Sequence, residues 1–342
     1  VNTSWARWPA IGGGPYRPGL PPPAPPAGAG DFPRTYQPVA VSAGVRQEPI
    51  FDPALKHYFR AFRAGEPLFD DEPTALRWRA ARRAVMDHLL ARLADSPWQE
   101  NLVLRGSVLL RAWFGDRARE PGDLDWVVLP HTAAPDGPLA AELFAGVREA
   151  VRAHPRVTSS APGTPAEVLL LPDRVTTDEI WTYERAEGRR LVLPWRAEGL
   201  PPGTVQMDFV FGERLPEPPE VCLVPAADPE REPALVLGAG RGLSLAWKLL
   251  WLVGDSYPQG KDLYDAVLLA EHTTLEPELL RRVLEPAYPD VPREVGPETV
   301  VALTGVEWAE FQAEYPDVPG TARDWQHRLA DALRSALDRA GS

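Results

Sequence analysis

The sequence predicts an α+β protein, a mixed-sheet half followed by a mainly helical half. Three observations carry this. Between residues 74 and 211 short apolar runs alternate with segments of helical spacing, the pattern of helices packed on a sheet. A proline-rich stretch at 215–219 then breaks the pattern. Beyond Leu243 nearly every segment reads as helix. With 342 residues the chain can bury a sizeable core in two structured parts. The expected divisions are a proline-rich, disordered tail at 1–55, an α/β domain at 56–218 and a mainly helical domain at 219–342.

The elements follow in order. The tail holds runs such as Pro21-Pro22-Pro23-Ala24-Pro25-Pro26, and proline fixes φ and removes donors, which predicts extended or disordered chain. Residues 74–94 place Leu76, Ala80, Val85, Leu89, Leu90 and Leu93 at helical spacing. Residues 101–104 form a short apolar strand that runs into Gly106-Ser107, and 108–114 read as a helix. Residues 124–129 are apolar enough for a strand inside a sheet. A helix is predicted at 139–153, with strands at 167–171, 190–193 and 205–211, and the chain ends in a helix at 323–340. No internal repeat is present.

Composition excludes several classes of function. The formal net charge of −12 argues against broad nucleic-acid binding, which is driven by phosphate neutralisation, and leaves room only for a local basic groove. A lone cysteine, Cys222, rules out an intramolecular disulfide framework and a cysteine-cluster zinc site. The six histidines show no metal-ligand pair at helical spacing. The opening Val1-Asn2-Thr3-Ser4-Trp5 has no basic start before an apolar core, and the apolar stretch 243–253 is short and contains Lys248. The expectation is a cytoplasmic protein with no membrane span.

One constellation carries chemistry. In Gly122-Asp123-Leu124-Asp125-Trp126, strand geometry aims Asp123 and Asp125 at one face, with Leu124 and Trp126 on the other. Two converging carboxylates repel unless a hard cation or a partner compensates. Gly106-Ser107 stands at a strand-to-helix junction, where bare N–H groups and the helix dipole favour an anion. A phosphate seat beside a dicarboxylate is what metal-assisted nucleotidyl transfer requires. Asp208, a single acid in the mostly apolar run 205–211, supplies a third carboxylate if its strand neighbours the first. Taken separately, Asp-x-Asp also fits a turn, cap or surface pair, and Gly-Ser an ordinary helix cap.

The ordered set, Gly-Ser followed by Asp-x-Asp on a strand, resembles the polymerase-β-like nucleotidyltransferase superfamily. More closely it resembles the AbiEii-type nucleotidyltransferase toxins of bacterial toxin–antitoxin and phage-abortive systems. Arg119 stands four residues before Asp123, as that branch has it. Trp247-Lys248-Leu249 matches its later helical lysine, and Lys261-Asp262-Leu263-Tyr264-Asp265 its basic-Asp-x-x-Asp motif. The resemblance covers roughly residues 74–272 and departs at Pro121, usually serine or threonine, and at Arg105, often lysine.

The resemblance implies a polymerase-β-like fold and two Mg²⁺ ions on Asp123, Asp125 and Asp208. Gly106, Ser107, Arg119 and Lys248 would bind the nucleoside triphosphate. Asp262 would complete the site as a polar or base-like residue, and Asp265 would be structural. The reaction implied moves an NMP to a hydroxyl of an RNA, such as a tRNA 3′ end, or of a protein acceptor, with a cognate antitoxin as partner. From the residues alone, Lys248 among Leu245, Trp247, Leu249, Leu250 and Trp251 is an unexpected cation, for which snorkelling to solvent is the rival. For Asp262 and Asp265 the rival is a helix cap and first-turn acid. A non-catalytic nucleotide- or partner-binding module on the same fold is the alternative to an enzyme.

Weaker signals take plainer readings. Gly238-Ala239-Gly240-Arg241-Gly242 lacks the glycine spacing and βαβ frame of a dinucleotide loop. Ser244 fits a helix start better than a nucleophile elbow. Arg77, Arg79, Arg82 and Arg83 read as a solvated helix face rather than an RNA track. Cys222 reads as a small, half-buried apolar residue.

Overall fold

The computed structural model describes residues 44–46, 67–180, 187–254, 258–286 and 295–340. These fall into two compact units that interleave in sequence. One takes the described residues of Val1–Ala112, Glu120–Glu213 and Val221–Leu237, the other those of Trp113–Arg119, Arg214–Glu220 and Gly238–Ser342.

The first unit is built on a nine-stranded mixed sheet. A small antiparallel pair, β1 (Val45–Arg46) and β2 (Leu68–Phe69), precedes helix α1 (Glu72–Ala94). The helix starts where it does because the Asp71 carboxylate accepts the Thr74 backbone N–H at 2.8 Å. Then come β3 (Leu102–Arg105), α2 (Ser107–Phe114), β4 (Asp123–Val128), α3 (Pro138–Ala153), β5 (Arg156–Thr158), β6 (Glu167–Leu170), β7 (Thr176–Glu179), β8 (Glu187–Ala197), β9 (Gly203–Phe211), β10 (Glu220–Val224) and β11 (Ala234–Gly238). The strand order is β10-β11-β3-β4-β9-β8-β6-β5, with β7 paired to β8. The central pair β4–β9 is parallel; β3–β4 and β8–β9 are antiparallel.

Helix α1 packs on β4, β5, β6 and β9 and meets α3. Its Trp78, 2% exposed, lies 5.3 Å from the Trp195 ring of β8. Gly203 opens β9 beneath those two rings, and a Cβ there would run into both. Burying an aromatic or branched side chain of this kind contributes about 1.5–3 kcal/mol each, so this layer anchors the helix on the sheet.

The second unit is helical: α4 (Arg241–Gly254), α5 (Gly260–His272), α6 (Pro277–Leu284), α7 (Pro297–Val301), α8 (Trp308–Glu314) and α9 (Ala322–Ala340). Helix α5 is its spine, packed against α4, α8 and α9. Tyr264, Trp308, Phe311 and Trp325 form one aromatic cluster, with ring centroids 4.8–5.5 Å apart across its pairs. Among the described residues no helix is long and apolar enough to cross a membrane.

The α+β class expected from the sequence is the class found. Strands β5, β7, β10 and β11 were not anticipated. The first three are three to five residues long, and Thr176–Glu179 carries no aliphatic residue. Strand β8 runs well past the expected 190–193, because Arg189, Pro194 and Arg196 interrupt its apolar pattern. The expected boundary at 218 divides the chain differently from the structure: β10 and β11 extend the sheet beside β3, while 113–119 and 214–220 join the helical unit. The tail expected at 1–55 lies outside the described residues except for 44–46. The arginines of α1 do not form one solvated face: Arg79 is exposed and pairs with Glu72, Arg82 is buried over Trp78, and Arg83 bonds Asp87 at 2.9 Å.

His88 on α1 is 8% exposed and shares a hydrogen bond with the His154 carbonyl at 3.1 Å. Burial pulls its imidazole down to about 4, against the opposing effect of that bond. The unfolded chain, near the ordinary 6.5, therefore binds more protons between pH 6.5 and 4. The stability from neutral His88 is full above 6.5 and lost as pH falls through that window. Urea unfolding from pH 7 to pH 4.5 should show a loss on the order of 2 kcal/mol that His88→Gln removes. A pH dependence unchanged by the substitution would contradict the assignment.

Candidate active site

In the first unit, β4 and β9 run parallel in a register that sets Asp125 opposite Asp208 and Asp123 opposite Gln206. Asp123 and Asp125, two residues apart on β4, share a face. The result brings Asp123, Asp125 and Asp208 together, each with a carboxylate oxygen within 4.8 Å of the others. Asp123 and Asp125 are partly exposed, whereas Asp208 is 1% exposed. The neighbourhood of the strands, which spacing alone left open, is settled by this pairing.

Gly106 and Ser107 lie beside this cluster. Gly106 has φ +80°, and a Cβ on it would collide with Asp125 Oδ2. Glycine is therefore required twice, for the left-handed turn out of β3 and for the close approach of Asp125. Ser107 opens α2 and is 2% exposed, yet its hydroxyl has no hydrogen-bond partner among the described residues. An unmade bond on a buried hydroxyl costs about 1–3 kcal/mol, so a ligand oxygen there would recover it. Three hard oxygen donors within ligand reach and an orphaned hydroxyl at a helix start fit a divalent ion and a phosphate.

The sequence reading did not find the cations around these acids. Arg105 on β3 is the register partner of Asp125, and Arg190 on β8 is that of Asp208. Arg190 grips Asp208 in a two-pronged ion pair, its Nε 2.6 Å from Oδ1 and its terminal nitrogen on Oδ2. Arg105 is buried and bonds Glu213 at 2.9 Å. Arg105 stood in the sequence only as a departure from the family motif and Arg190 only as an arginine at the edge of an apolar run, and the partner of each depends on register.

The second unit holds the other expected residues in a separate cluster of its own. Lys248 on α4 is 4% exposed, with its ammonium 2.8 Å from Asp262 and 2.9 Å from Asp265, both on α5. Arg119 bonds both oxygens of Asp265 at 3.1 Å. The Trp251 ring lies 4.9 Å from the Lys248 nitrogen. Burial by itself pulls Lys248 down, but Asp262 and Asp265 outweigh it and hold the ammonium above its ordinary range. Burial likewise pushes Asp265 up, and Arg119 with Lys248 overcomes it, so that carboxyl is held low. Lys248 does not snorkel to solvent; the α5 cap position is Gln259 rather than either aspartate, and Asp262 is the acid of the first turn, as the plainer reading had it.

The glycine run faces an acid rather than a phosphate-binding group. The Glu220 carboxylate sits against Gly240, 2.6 Å from where a Cβ would stand, and an acid there repels a second anion. Cys222 is buried on its strand.

Two buried aspartates depending on two cations make this second cluster intolerant of single losses. Lys248→Met should destabilise the protein by about 3–5 kcal/mol, read by urea unfolding. A loss under about 1 kcal/mol would mean that the pair is worth no more than a surface one.

No match is found among curated proteins. Among solved structures the chain is similar to MenT4, a nucleotidyltransferase toxin from Mycobacterium tuberculosis H37Rv, at 20% identity and a TM-score of 0.46, over 77% of this chain and 95% of that one. A family model described as nucleotidyl transferase AbiEii toxin, type IV toxin–antitoxin system, matches residues 88–340. That span is most of the chain and contains every residue of both clusters. The chain belongs to the AbiEii family of nucleotidyltransferase toxins.

Proposed function

We propose that this nucleotidyltransferase moves an NMP from an NTP to a hydroxyl of an RNA, such as a tRNA 3′ end, or of a protein acceptor, with Mg²⁺ held by Asp123, Asp125 and Asp208. The observation that carries the reading is the buried, unpartnered Ser107 hydroxyl beside three convergent carboxylates. When bound, the divalent ions lower the pKa of the attacking hydroxyl and neutralise charge on the phosphates. The acceptor hydroxyl gives its proton to water, its oxygen bonds to the α-phosphorus, the bond from that phosphorus to the oxygen bridging to the β-phosphate breaks, and pyrophosphate leaves with the electron pair.

In this proposal Gly106 lets the triphosphate approach the backbone, and Ser107 donates to one of its oxygens. The start of α2 adds the favourable end of the helix dipole. Arg119 and Lys248 are proposed as nucleotide-binding cations and Asp262 as a polar or base-like group, on the strength of the family motif they match. The family is the toxin half of a type IV toxin–antitoxin system, which implies an antitoxin as counterpart.

The test incubates wild type and an Asp123→Asn/Asp125→Asn variant with each α-³²P-labelled NTP, Mg²⁺, total RNA and cell lysate. Wild type should transfer label from one or more nucleotides, with at least about a thousand-fold loss in the variant, the order seen when transition-state charge stabilisation is removed. Tight nucleotide binding with no transfer by wild type would favour the non-catalytic binding module instead. Gly106→Ala should cost transfer at least about a hundred-fold, since displacing a reacting group by about 1 Å has that effect. Full activity in Gly106→Ala would refute the phosphate seat.

A further inference from the structure

The metal cluster lies in a row of charges that crosses five neighbouring strands. Register pairs Arg105 on β3 with Asp125 on β4, Asp125 with Asp208 on β9, Asp208 with Arg190 on β8, and Arg190 with Asp178 on β7. Residues paired in register share a face of the sheet, so all five side chains rise from the same side. Arg190 thus stands between two carboxylates, Asp208 and Asp178, and its guanidinium is bonded through two nitrogens to Asp208. Asp208 is the more buried of the two, with a side chain 2% exposed.

The row has consequences for any cation that comes to Asp208. Asp123, Asp125, Asp208, Asp178 and Glu213 bring five formal negative charges, and Arg105 and Arg190 two positive. The excess of acid favours an incoming cation even while Arg190 stays in place. The fork of Arg190 engages one lone pair on each oxygen of Asp208, and its positive charge beside them opposes a second cation at the same carboxylate. A buried carboxylate without a cation is costly, so Asp208 needs either Arg190 or a metal ion at all times.

Resting on the reading of the triad as a metal site, we propose that Arg190 is a built-in counter-cation that holds Asp208 until a divalent ion takes it, then shifts to Asp178 on the next strand. Binding at the third carboxylate is then an exchange of one cation for another. The unloaded cluster keeps a cation on its most buried carboxylate, and the full complement of ions assembles only when the incoming charge displaces the arginine. Arg190 is a positioning residue in this scheme. Asp178 is its second seat.

The test titrates full-length protein with Mn²⁺ alone, following free ion by electron paramagnetic resonance, and records melting temperatures in EDTA and in Mn²⁺. Arg190→Gln should tighten Mn²⁺ binding about ten-fold and melt earlier than wild type in EDTA, with Mn²⁺ restoring the difference. Asp178→Asn, which removes the second seat, should weaken binding three-fold or more. A structural role alone would not move affinity in opposite directions at two residues that are not metal ligands. Arg190→Gln/Asp208→Asn should lose the gain in affinity. If Arg190→Gln does not fold, Arg190→Lys, which keeps the charge without the fork, should show a smaller gain. Unchanged or weaker binding in the Arg190 variants overturns the proposal. Mn²⁺ affinity unaffected by Asp123→Asn/Asp125→Asn would instead remove the metal site itself, and this proposal with it. Loss of binding in that variant beside silent Arg190 and Asp178 variants overturns the counter-cation alone.

Discussion

The parallel pairing of β4 and β9 sets two carboxylates, Asp125 and Asp208, directly opposite each other, with Asp123 on the same face. At the separations involved each like-charged pair costs about 3 kcal/mol in a partly screened site. Much of the first unit answers that repulsion. Arg190 neutralises the most buried member from the adjoining strand. Arg105, in register with Asp125, is fixed by Glu213. Gly106 gives up its side chain so that the backbone can pass close to Asp125. A sheet evolved for stability alone would place apolar residues at these positions, as it does at Leu124, Trp126, Met207 and Phe209, the neighbours along both strands. The strand alternation divides the sheet between a packed face and a charged one.

The helical unit meets a similar demand with a different solution. Lys248, Asp262, Asp265 and Arg119 balance to zero formal charge, and each carboxylate is bonded to at least one cation. Such a cluster is a poor source of stability compared with an apolar one of equal volume, but it is intolerant of losing any one member. Its residues match the family motif, Lys248 within α4 and Asp262 and Asp265 in the first half of α5. Beside the aspartates of the sheet the Ser107 hydroxyl has no partner among the described residues, and neither has the buried Ser244 hydroxyl on α4. Ser107 differs in standing at the start of a helix next to the carboxylate cluster, where an oxyanion is favoured.

Much of this was legible in the sequence because the signals were local. Spacing of two on a strand places Asp123 and Asp125 together whatever the rest of the fold does. A glycine and a serine between an apolar strand and a helix mark the turn at 106–107. The long helices follow from periodicity and were found to within two residues at α1, α3 and α9. Strands β5 and β7 were not legible because their charged and polar side chains mask the sheet, whereas β3 and β6, four residues each, are apolar enough to read.

The sequence by itself determined the class of fold, the two aspartates on one face and the ordered motifs that mark the family, all properties of residues close together in the chain. Only the tertiary structure decided that Asp208 joins them, that Arg190 is bonded to it with Asp178 on the strand beyond, and that Lys248 is enclosed by Asp262 and Asp265. The reason is physical. Which residues face each other across a sheet depends on strand order and register, and a slip of one residue turns every side chain to the opposite face. A buried lysine surrounded by leucines and tryptophans in the sequence shows its partners only when α4 and α5 are packed together.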